Sequence, residues 1–381
     1  MKLFNKIFKK ASPMKEIKPV IGQVDNILAI ASGKGGVGKS TVTTNLAFAL
    51  TAKGYKVGVL DADLYGPSQS TMFGKNDKAQ AKDGYAIPIE NHGVKYISLS
   101  AVNTSSGAAI MRGPIPVKIL HQFLSAVLWG ELDYLLIDLP PGTGDIQLTL
   151  SQQARLTGGI IVTTPQKVAR EISAKAIDMF NTVNVPIVGV VENMSGFTCE
   201  NCGHTTEIFK SGGGQQVANE CDVPFLGQIP LDPAVMMSGD DGQSIIDKKD
   251  DHPLKKILVG IAEKTTEQVE RLTGDDKMIE PTKLAVYEDS GRFKVFWNNG
   301  EESEFDPYEL RLACPCASCV EETTGKRILD VDSVPLDIKV VKANTVGRYG
   351  ISIHFSDNHS TGIYKISSLR EMAKKEQGVA L

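Results

Sequence analysis

Residues 32–41, "SGKGGVGKST", have the composition and spacing of a phosphate-binding turn. Gly33 is followed by four residues and then by Gly38, Lys39 and Ser40, which is the P-loop pattern. Glycines at these positions let backbone N–H groups close around phosphate oxygens, and the start of a helix adds its positive dipole end. On this reading Gly33, Lys34, Gly35, Gly36, Val37, Gly38, Lys39, Ser40 and Thr41 cradle a nucleotide. Lys39 reaches the β- and γ-phosphates, and the Ser40 hydroxyl ligates Mg²⁺. Asp61 and Asp63 close the apolar run "KVGVLDAD", and Asp138 closes "YLLIDLP". Carboxylates at strand ends are where an open α/β sheet binds its ligands. Asp138 stands as a Walker B aspartate holding Mg²⁺ through water, and "PPGTGD" reads as a γ-phosphate-sensing switch ending in Asp145.

The second chemistry is that of thiols. Five of the six cysteines fall into two close groups, Cys199/Cys202 in "FTCENCGH" and Cys314/Cys316/Cys319 in "ELRLACPCASC". With no secretory signal, such groups point to metal rather than disulfides. Thiolates suit zinc and iron–sulfur clusters alike, so spacing does not choose between them. Cys199 and Cys202 supply only two of the four ligands of a structural zinc site. His204 reads as a loop residue and Cys221 as a small buried apolar one.

These groups need elements to position them. From Ile27 to about Leu272, Val/Ile/Leu runs such as "ILAIAS", "GGIIVTT" and "VPIVGVVEN" alternate with helical stretches such as "KSTVTTNLAFALTAKG". That alternation predicts a doubly wound, mostly parallel α/β sheet. After "TGDDKMIEPT" the texture changes to short β-prone runs with turns at "DSG" and "NNG", which predicts a small β-rich domain. The expected organisation is a basic tail at 1–25, a P-loop domain at 26–275 and the small domain at 280–375. The tail, "MKLFNKIFKK", reads as solvated, with an interfacial helix on anionic lipid as the alternative. Its 41 basic and 45 acidic residues give the chain a net charge of −4, so no nucleic-acid partner is expected. No apolar run approaches a membrane span, and the expected compartment is the cytoplasm.

"KGGVGKST" resembles the deviant Walker A motif of the MinD, ParA and nitrogenase-iron-protein ATPases. The resemblance implies ATP as the nucleotide and a sandwich homodimer in which Lys34 reaches the partner's nucleotide. It also implies that Asp63 orients or activates the attacking water, that Asp61 lies near Mg²⁺ and that Asn193 contacts adenine. Lys34, Lys39, Asp63 and Asp138 are thus the expected catalytic set. "DADLYGPS", "RGP", "LWGELDYLLIDLPPGTGDIQLTL", "VENMSGF", "CENCG" and "GQIPLD" then follow in order, and residues 25–272 resemble the Mrp/ApbC iron–sulfur cluster carrier ATPases. In that family Cys199 and Cys202 of each subunit would hold one 4Fe-4S cluster across the dimer axis, since a two-fold axis supplies the same patch twice. The cluster would come from a donor scaffold and pass to apo iron–sulfur client proteins. The alternative is a MinD/ParA-type positioning ATPase in which the same cysteines bind structural zinc.

Residues 282–372 resemble the N-terminal zinc-binding domain of gamma-butyrobetaine hydroxylase, with "SDNHSTGIY" as a second matching segment. There Cys314, Cys316, Cys319 and His359 would form a Cys₃His structural Zn²⁺ site, with bound or relayed iron as the alternative. His354 and Asp357 read as structural, and nothing in this segment predicts oxygenase chemistry.

Overall fold

The computed structural model describes residues 24–63, 66–75, 77–82, 85–98, 123, 126–142, 154, 156–199, 202–247, 252–273, 279, 281–287, 290–321, 326–346 and 350–376. The basic tail before Val24, the "RGP" stretch and Asp145 lie outside the described residues. The chain divides into two units, Met1–Leu272 and Thr273–Leu381. Among the described residues no helix is long and apolar enough to cross a membrane.

In the first unit β1 (Val24–Ala31) leads through the glycine-rich turn into α1 (Lys39–Ala52) and β2 (Val57–Asp61). A short helix α2 (Gln69–Met72) and the strands β3 (Gln80–Lys82), β4 (Tyr85–Ile87), β5 (Ile89–Asn91) and β6 (Val94–Ile97) follow. Then come β7 (Leu132–Asp138), β8 (Gly158–Thr163), α3 (Lys167–Thr182), β9 (Ile187–Thr198) and β10 (Thr205–Thr206). The unit continues with α4 (Gly213–Glu220), β11 (Phe225–Leu231), α5 (Pro233–Asp241) and α6 (Pro253–Thr273).

Seven strands lie parallel in the order β11-β9-β8-β1-β7-β2-β6, with antiparallel β5 beyond β6 and β10 against the end of β9. All residues of β2 and β8 are buried, as continuous apolar runs covered on both faces require. The chain moves from β1 outward to β2 and later crosses to β8 on the other side. The end of β1 therefore sits at the reversal of winding, where open α/β sheets bind ligands. Helix α1 buries Val42, Leu46, Phe48 and Leu50 and is a core helix rather than an amphipathic surface one. It ends at Ala52, with Gly54 left-handed just beyond, matching the glycine stop in the sequence.

One buried carboxylate braces β9. Glu192 is fully buried, and its Oε1 accepts the Gly212 N–H at 2.9 Å and the Ser195 hydroxyl at 2.5 Å, while Oε2 accepts the Gly214 N–H. It satisfies the otherwise orphaned donors at the start of α4 and favours the positive end of that helix. A Cβ on Gly214 would stand 2.7 Å from that of Glu192, so the close approach needs glycine.

The second unit holds two antiparallel sheets, β12 (Pro281–Val286), β13 (Phe293–Trp297) and β14 (Glu302–Phe305), then β15 (Val340–Val346), β16 (Gly350–Phe355) and β17 (Ile363–Lys365). The hairpin β12–β13–β14 follows the turns read at "DSG" and "NNG", and Phe293, Val295 and Trp297 alternate inward. Two helices accompany the strands, α7 (Pro307–Leu312) and α8 (Ile366–Glu376). Asp306 starts α7 by accepting the N–H groups of Tyr308 and Glu309, with Pro307 in the first turn.

Glu192→Gln puts an NH₂ where a backbone donor already points. It is expected to destabilise the protein by about 1–3 kcal/mol, read as a lower urea midpoint for the first unit. An unchanged midpoint would remove the brace from this account.

Candidate nucleotide site and cysteine centres

The C-terminal ends of β1, β2 and β7 bring the nucleotide motif together. Cα register pairs Asp61 directly with Asp138, and Ile30 with Asp138, so both carboxylates lie beside the turn that follows β1. The turn needs its glycines: Gly36 and Gly38 are left-handed at φ 77° and 79°. Gly38 precedes α1 directly, and a Cβ there would lie 2.2 Å from Asn193 Nδ2.

Lys39 and Asp138 are both buried and form an ion pair at 2.5 Å. The same Asp138 Oδ1 accepts the Thr43 hydroxyl at 3.1 Å, and Oδ2 accepts Gln69 Nε2 at 2.9 Å. Asp61 is fully buried and accepts the N–H groups of Asp63, Ser68 and Gln69. Burial, and after it the neighbouring Asp138, raise the Asp61 carboxyl above the ordinary range against those hydrogen bonds and Lys39. A second cation at this place would relieve that strain between carboxylates. The donor set is therefore chemically suited to Mg²⁺, with Ser40 and Asp138 as the groups to hold it.

Asp63 is half-exposed at the rim, where Oδ1 accepts the Gly66 N–H at 3.1 Å. Lys34 is half-exposed on the turn, and its carbonyl accepts the Ser32 hydroxyl at 3.0 Å. Asn193 is buried and donates from Nδ2 to the Val37 carbonyl at 2.9 Å, fastening the turn to β9. The start of the switch segment is tied to the same turn, because the Gly142 N–H donates to the Ser32 carbonyl at 3.0 Å. Gln69 and Glu192 were not singled out from the sequence. A buried polar residue carries no local signature, and only the tertiary neighbours reveal it.

The Cys199/Cys202 pair sits at residues 199–204, the tip of a hairpin made where β10 pairs with the end of β9. The tip is closed by the Cys199 N–H on the His204 carbonyl and the Gly203 N–H on the Cys199 carbonyl. Gly203 is left-handed at φ 69°. Cys202 is exposed, Cys199 half-buried, His204 exposed, and Cys221 half-buried against the core of the first unit. The hairpin extends from the same sheet edge as the nucleotide turn, since β9 runs parallel to β1 through β8.

Among the described residues one group of three or more metal-ligating side chains is assembled, and it lies in the second unit. The ligand atoms of Cys314, Cys316, Cys319 and His359 all fall within 4.8 Å of one another. His359 Nε2 is 3.1, 3.4 and 3.8 Å from the sulfurs of Cys314, Cys316 and Cys319. A tetrahedral zinc with ordinary bond lengths separates its ligands by about 3.5–3.8 Å, so the residues fit the ion.

Arg311 and Asp357 orient this set. Arg311 donates from Nη1 to Cys319 Sγ at 3.3 Å and from Nε to Asp357 Oδ2 at 2.8 Å, and Asp357 Oδ1 accepts the His359 N–H at 2.9 Å. Burial and then Arg311 lower the His359 pKa, which favours the neutral imidazole a metal needs. Burial pushes the Cys314 thiol up to about 12. Burial also raises Cys316, but hydrogen bonds with Thr361, Cys314 and Cys319 outweigh it and bring that thiol to about 7. With a dication bound, three thiolates would leave the site a net negative charge, which Arg311 beside Cys319 would offset. The "SDNH" segment suggested His359 and a structural Asp357; Arg311 was missed because its partners are brought to it by the fold.

A family model described as NUBPL iron-transfer P-loop NTPase matches residues 23–266, and one described as gamma-butyrobetaine hydroxylase-like, N-terminal, matches residues 284–370. The iron-sulfur cluster carrier protein of Escherichia coli K12 is 43% identical over 268 residues, 69% of this chain and 73% of its own length. The chloroplastic Fe-S cluster assembly factor HCF101 of Arabidopsis thaliana is 38% identical over 350 residues, 89% of this chain and 63% of its own. A nucleotide-binding protein from Archaeoglobus fulgidus, solved with ADP, is 37% identical with a TM-score of 0.54, covering 60% of this chain and 92% of that one. The cell division ATPase MinD of Pyrococcus furiosus, at 22% identity and a TM-score of 0.51, covers 64% of this chain and 99% of its own and shares the fold.

Arg311→Met is expected to weaken zinc binding about 10–100-fold, measured by competition with a chromophoric chelator. Cys319→Ser and His359→Ala should lose zinc from the second unit altogether. Wild-type affinity in Arg311→Met would reduce Arg311 to a packing role.

Proposed function

The chain belongs to the NUBPL iron-transfer P-loop NTPase family, and from that premise we propose that it is an ATP-dependent iron–sulfur cluster carrier acting as a homodimer. ATP binding and hydrolysis in general, and a general role in carrying iron–sulfur or metal cargo, agree with the relatives it matches. The finer reading is that a 4Fe-4S cluster is the cargo, held by Cys199 and Cys202 of each of two chains. Client apo-proteins receive it, and a scaffold protein supplies it.

The observation that carries this reading is the placement of the thiol pair. It stands on an exposed hairpin tip at the same sheet edge as the nucleotide turn, and it offers two ligands where a cluster takes four. The complete Cys₃His set of the second unit is already closed and suits a structural zinc instead.

The chemistry follows from the residues. Lys39 and Asp138 neutralise one another at 2.5 Å. Phosphates of ATP draw the ammonium of Lys39 toward them, which leaves the Asp138 carboxylate available on the magnesium side with the Ser40 hydroxyl. Mg²⁺, when bound, neutralises charge on the β- and γ-oxygens. Asp63 at the rim orients the attacking water, with Asp61 behind it held by backbone donors. Lys34 extends to the partner's nucleotide, and Asn193 serves the adenine side while holding the turn. Strand β9 bears Asn193 on the turn and runs on to Cys199, so movement of the turn reaches the thiols through one continuous segment. Coupling of this kind requires nucleotide to prefer one of two dimer geometries.

Anaerobic reconstitution with iron and sulfide tests the cargo. About four irons per dimer are expected in the wild type and none in Cys199→Ala/Cys202→Ala, with zinc of the second unit retained. Zinc at the hairpin and no chromophore would replace the carrier by a positioning ATPase with a structural clasp. ATP is expected to accelerate cluster transfer to an apo-protein, and Lys39→Ala to abolish the acceleration. Equal rates in all three conditions would refute the coupling.

A further inference from the structure

The Ser40 hydroxyl and the Asp138 carboxylate, assigned to the magnesium side, come from different elements, and one buried amide bonds the main-chain carbonyl of Ser40 and the carboxylate of Asp138. Gln69 opens α2 and is fully buried. Both hydrogens of its side-chain nitrogen are used, one on the Ser40 carbonyl at 3.2 Å and one on Asp138 Oδ2 at 2.9 Å. Its Oε1 accepts the Thr44 hydroxyl at 2.8 Å, and its backbone N–H donates to Asp61 Oδ2 at 3.2 Å. Both donors and the acceptor oxygen of the amide are thereby engaged.

We propose that Gln69 is a positioning residue that sets the affinity of the nucleotide site for Mg²⁺, by spanning Ser40 and Asp138 and fixing their separation and orientation. The inference rests on the reading of this site as one for Mg²⁺-nucleotide. Asp138 is held through Oδ1 by Lys39 and Thr43 and through Oδ2 by Gln69 alone among the described residues. When Lys39 turns to phosphate, Oδ1 loses its charged partner and keeps Thr43, and Gln69 is the donor that holds the other oxygen and so fixes the rotation of the carboxylate. The backbone N–H of the same residue donates to Asp61, the carboxyl group that ends the neighbouring strand in register with Asp138. Removing the amide frees Asp138 to turn away from Asp61 and from Ser40.

Mg²⁺ makes such a spacer matter. It demands near-octahedral geometry at short bond lengths, whereas Ca²⁺ accepts longer bonds and irregular shells. A small displacement of Asp138 relative to Ser40 therefore penalises Mg²⁺ more than Ca²⁺.

The test uses the full chain and a fluorescent ADP analogue, titrated with Mg²⁺, with Ca²⁺ and in chelator. Gln69→Met keeps the length of the side chain and removes its donors and acceptor. In this variant the Mg²⁺ concentration giving half-maximal enhancement of nucleotide binding is expected to rise about tenfold, as for a lost hydrogen bond to a charged group. The Ca²⁺ requirement should shift less, and nucleotide affinity in chelator should stay within about twofold of wild type. Thr44→Val removes the hydroxyl that lies 2.8 Å from Oε1 and 2.9 Å from the Ser40 carbonyl, leaves both Gln69 donors in place and should move the Mg²⁺ requirement in the same direction by a smaller factor, which keeps the test open if Gln69→Met folds poorly.

A wild-type Mg²⁺ requirement in either folded variant overturns the proposal, whatever its melting temperature. So does a parallel loss of nucleotide binding in chelator, which would make Gln69 a support of the turn alone. A wild-type chain whose nucleotide binding ignores Mg²⁺ would instead defeat the underlying reading of the site.

Discussion

Two carboxylates, Asp61 and Asp138, end adjacent parallel strands in direct register, and both are fully buried. Like charges so placed repel, and burial makes each more costly to hold. The surroundings of the nucleotide turn answer that constraint. Lys39 supplies the opposite charge, and the side chains of Thr43 and Gln69 and the backbone N–H groups of Asp63, Ser68 and Gln69 supply donors. A polyanion competes for Lys39 and a dication for the carboxylates, so Mg²⁺-nucleotide exchanges partners within an existing network rather than building a new one.

The two cysteine groups show opposite uses of the same ligand. In the second unit three cysteines and a histidine converge among Phe293, Leu310, Ile351 and Tyr364, and Arg311 compensates the charge from behind. Four ligands so gathered would leave a bound tetrahedral ion no free valence, and such an ion would staple a core of modest size. In the first unit two thiols stand on a hairpin tip with one of them exposed. An incomplete and accessible pair is fit for a partner and for cargo that must leave.

Strand β9 connects these roles in the first unit. Along a few residues it carries Glu192 on the start of α4, Asn193 on the nucleotide turn and Ser195 on Glu192, before it reaches the hairpin. Met194 and Gly196 take left-handed backbone angles, so side chains here do not follow simple alternation. Glu192 and Asn193 precede both bends and reach two different elements, as neighbours in a strand do when successive side chains point to opposite faces.

The sequence by itself determined the parallel sheet, the glycine-rich turn, the Asp61 and Asp138 strand ends and the close cysteine group at 314–319, while His359 was reached only through the family resemblance. Each of these is written in close-spaced residues or in apolar runs whose meaning depends on near neighbours. The hairpins of the second unit were equally legible, while its helix α7 went unread although Asp306 and Pro307 announce it. What only the tertiary structure decided is which polar groups meet. Gln69 finds Asp138 across 69 positions, Arg311 finds Asp357 across 46, and Glu192 finds Gly212 across 20. Such partners are chosen by which strands lie side by side and by the need to satisfy every buried polar group. Both are properties of the packed chain and leave no local pattern in the order of its residues.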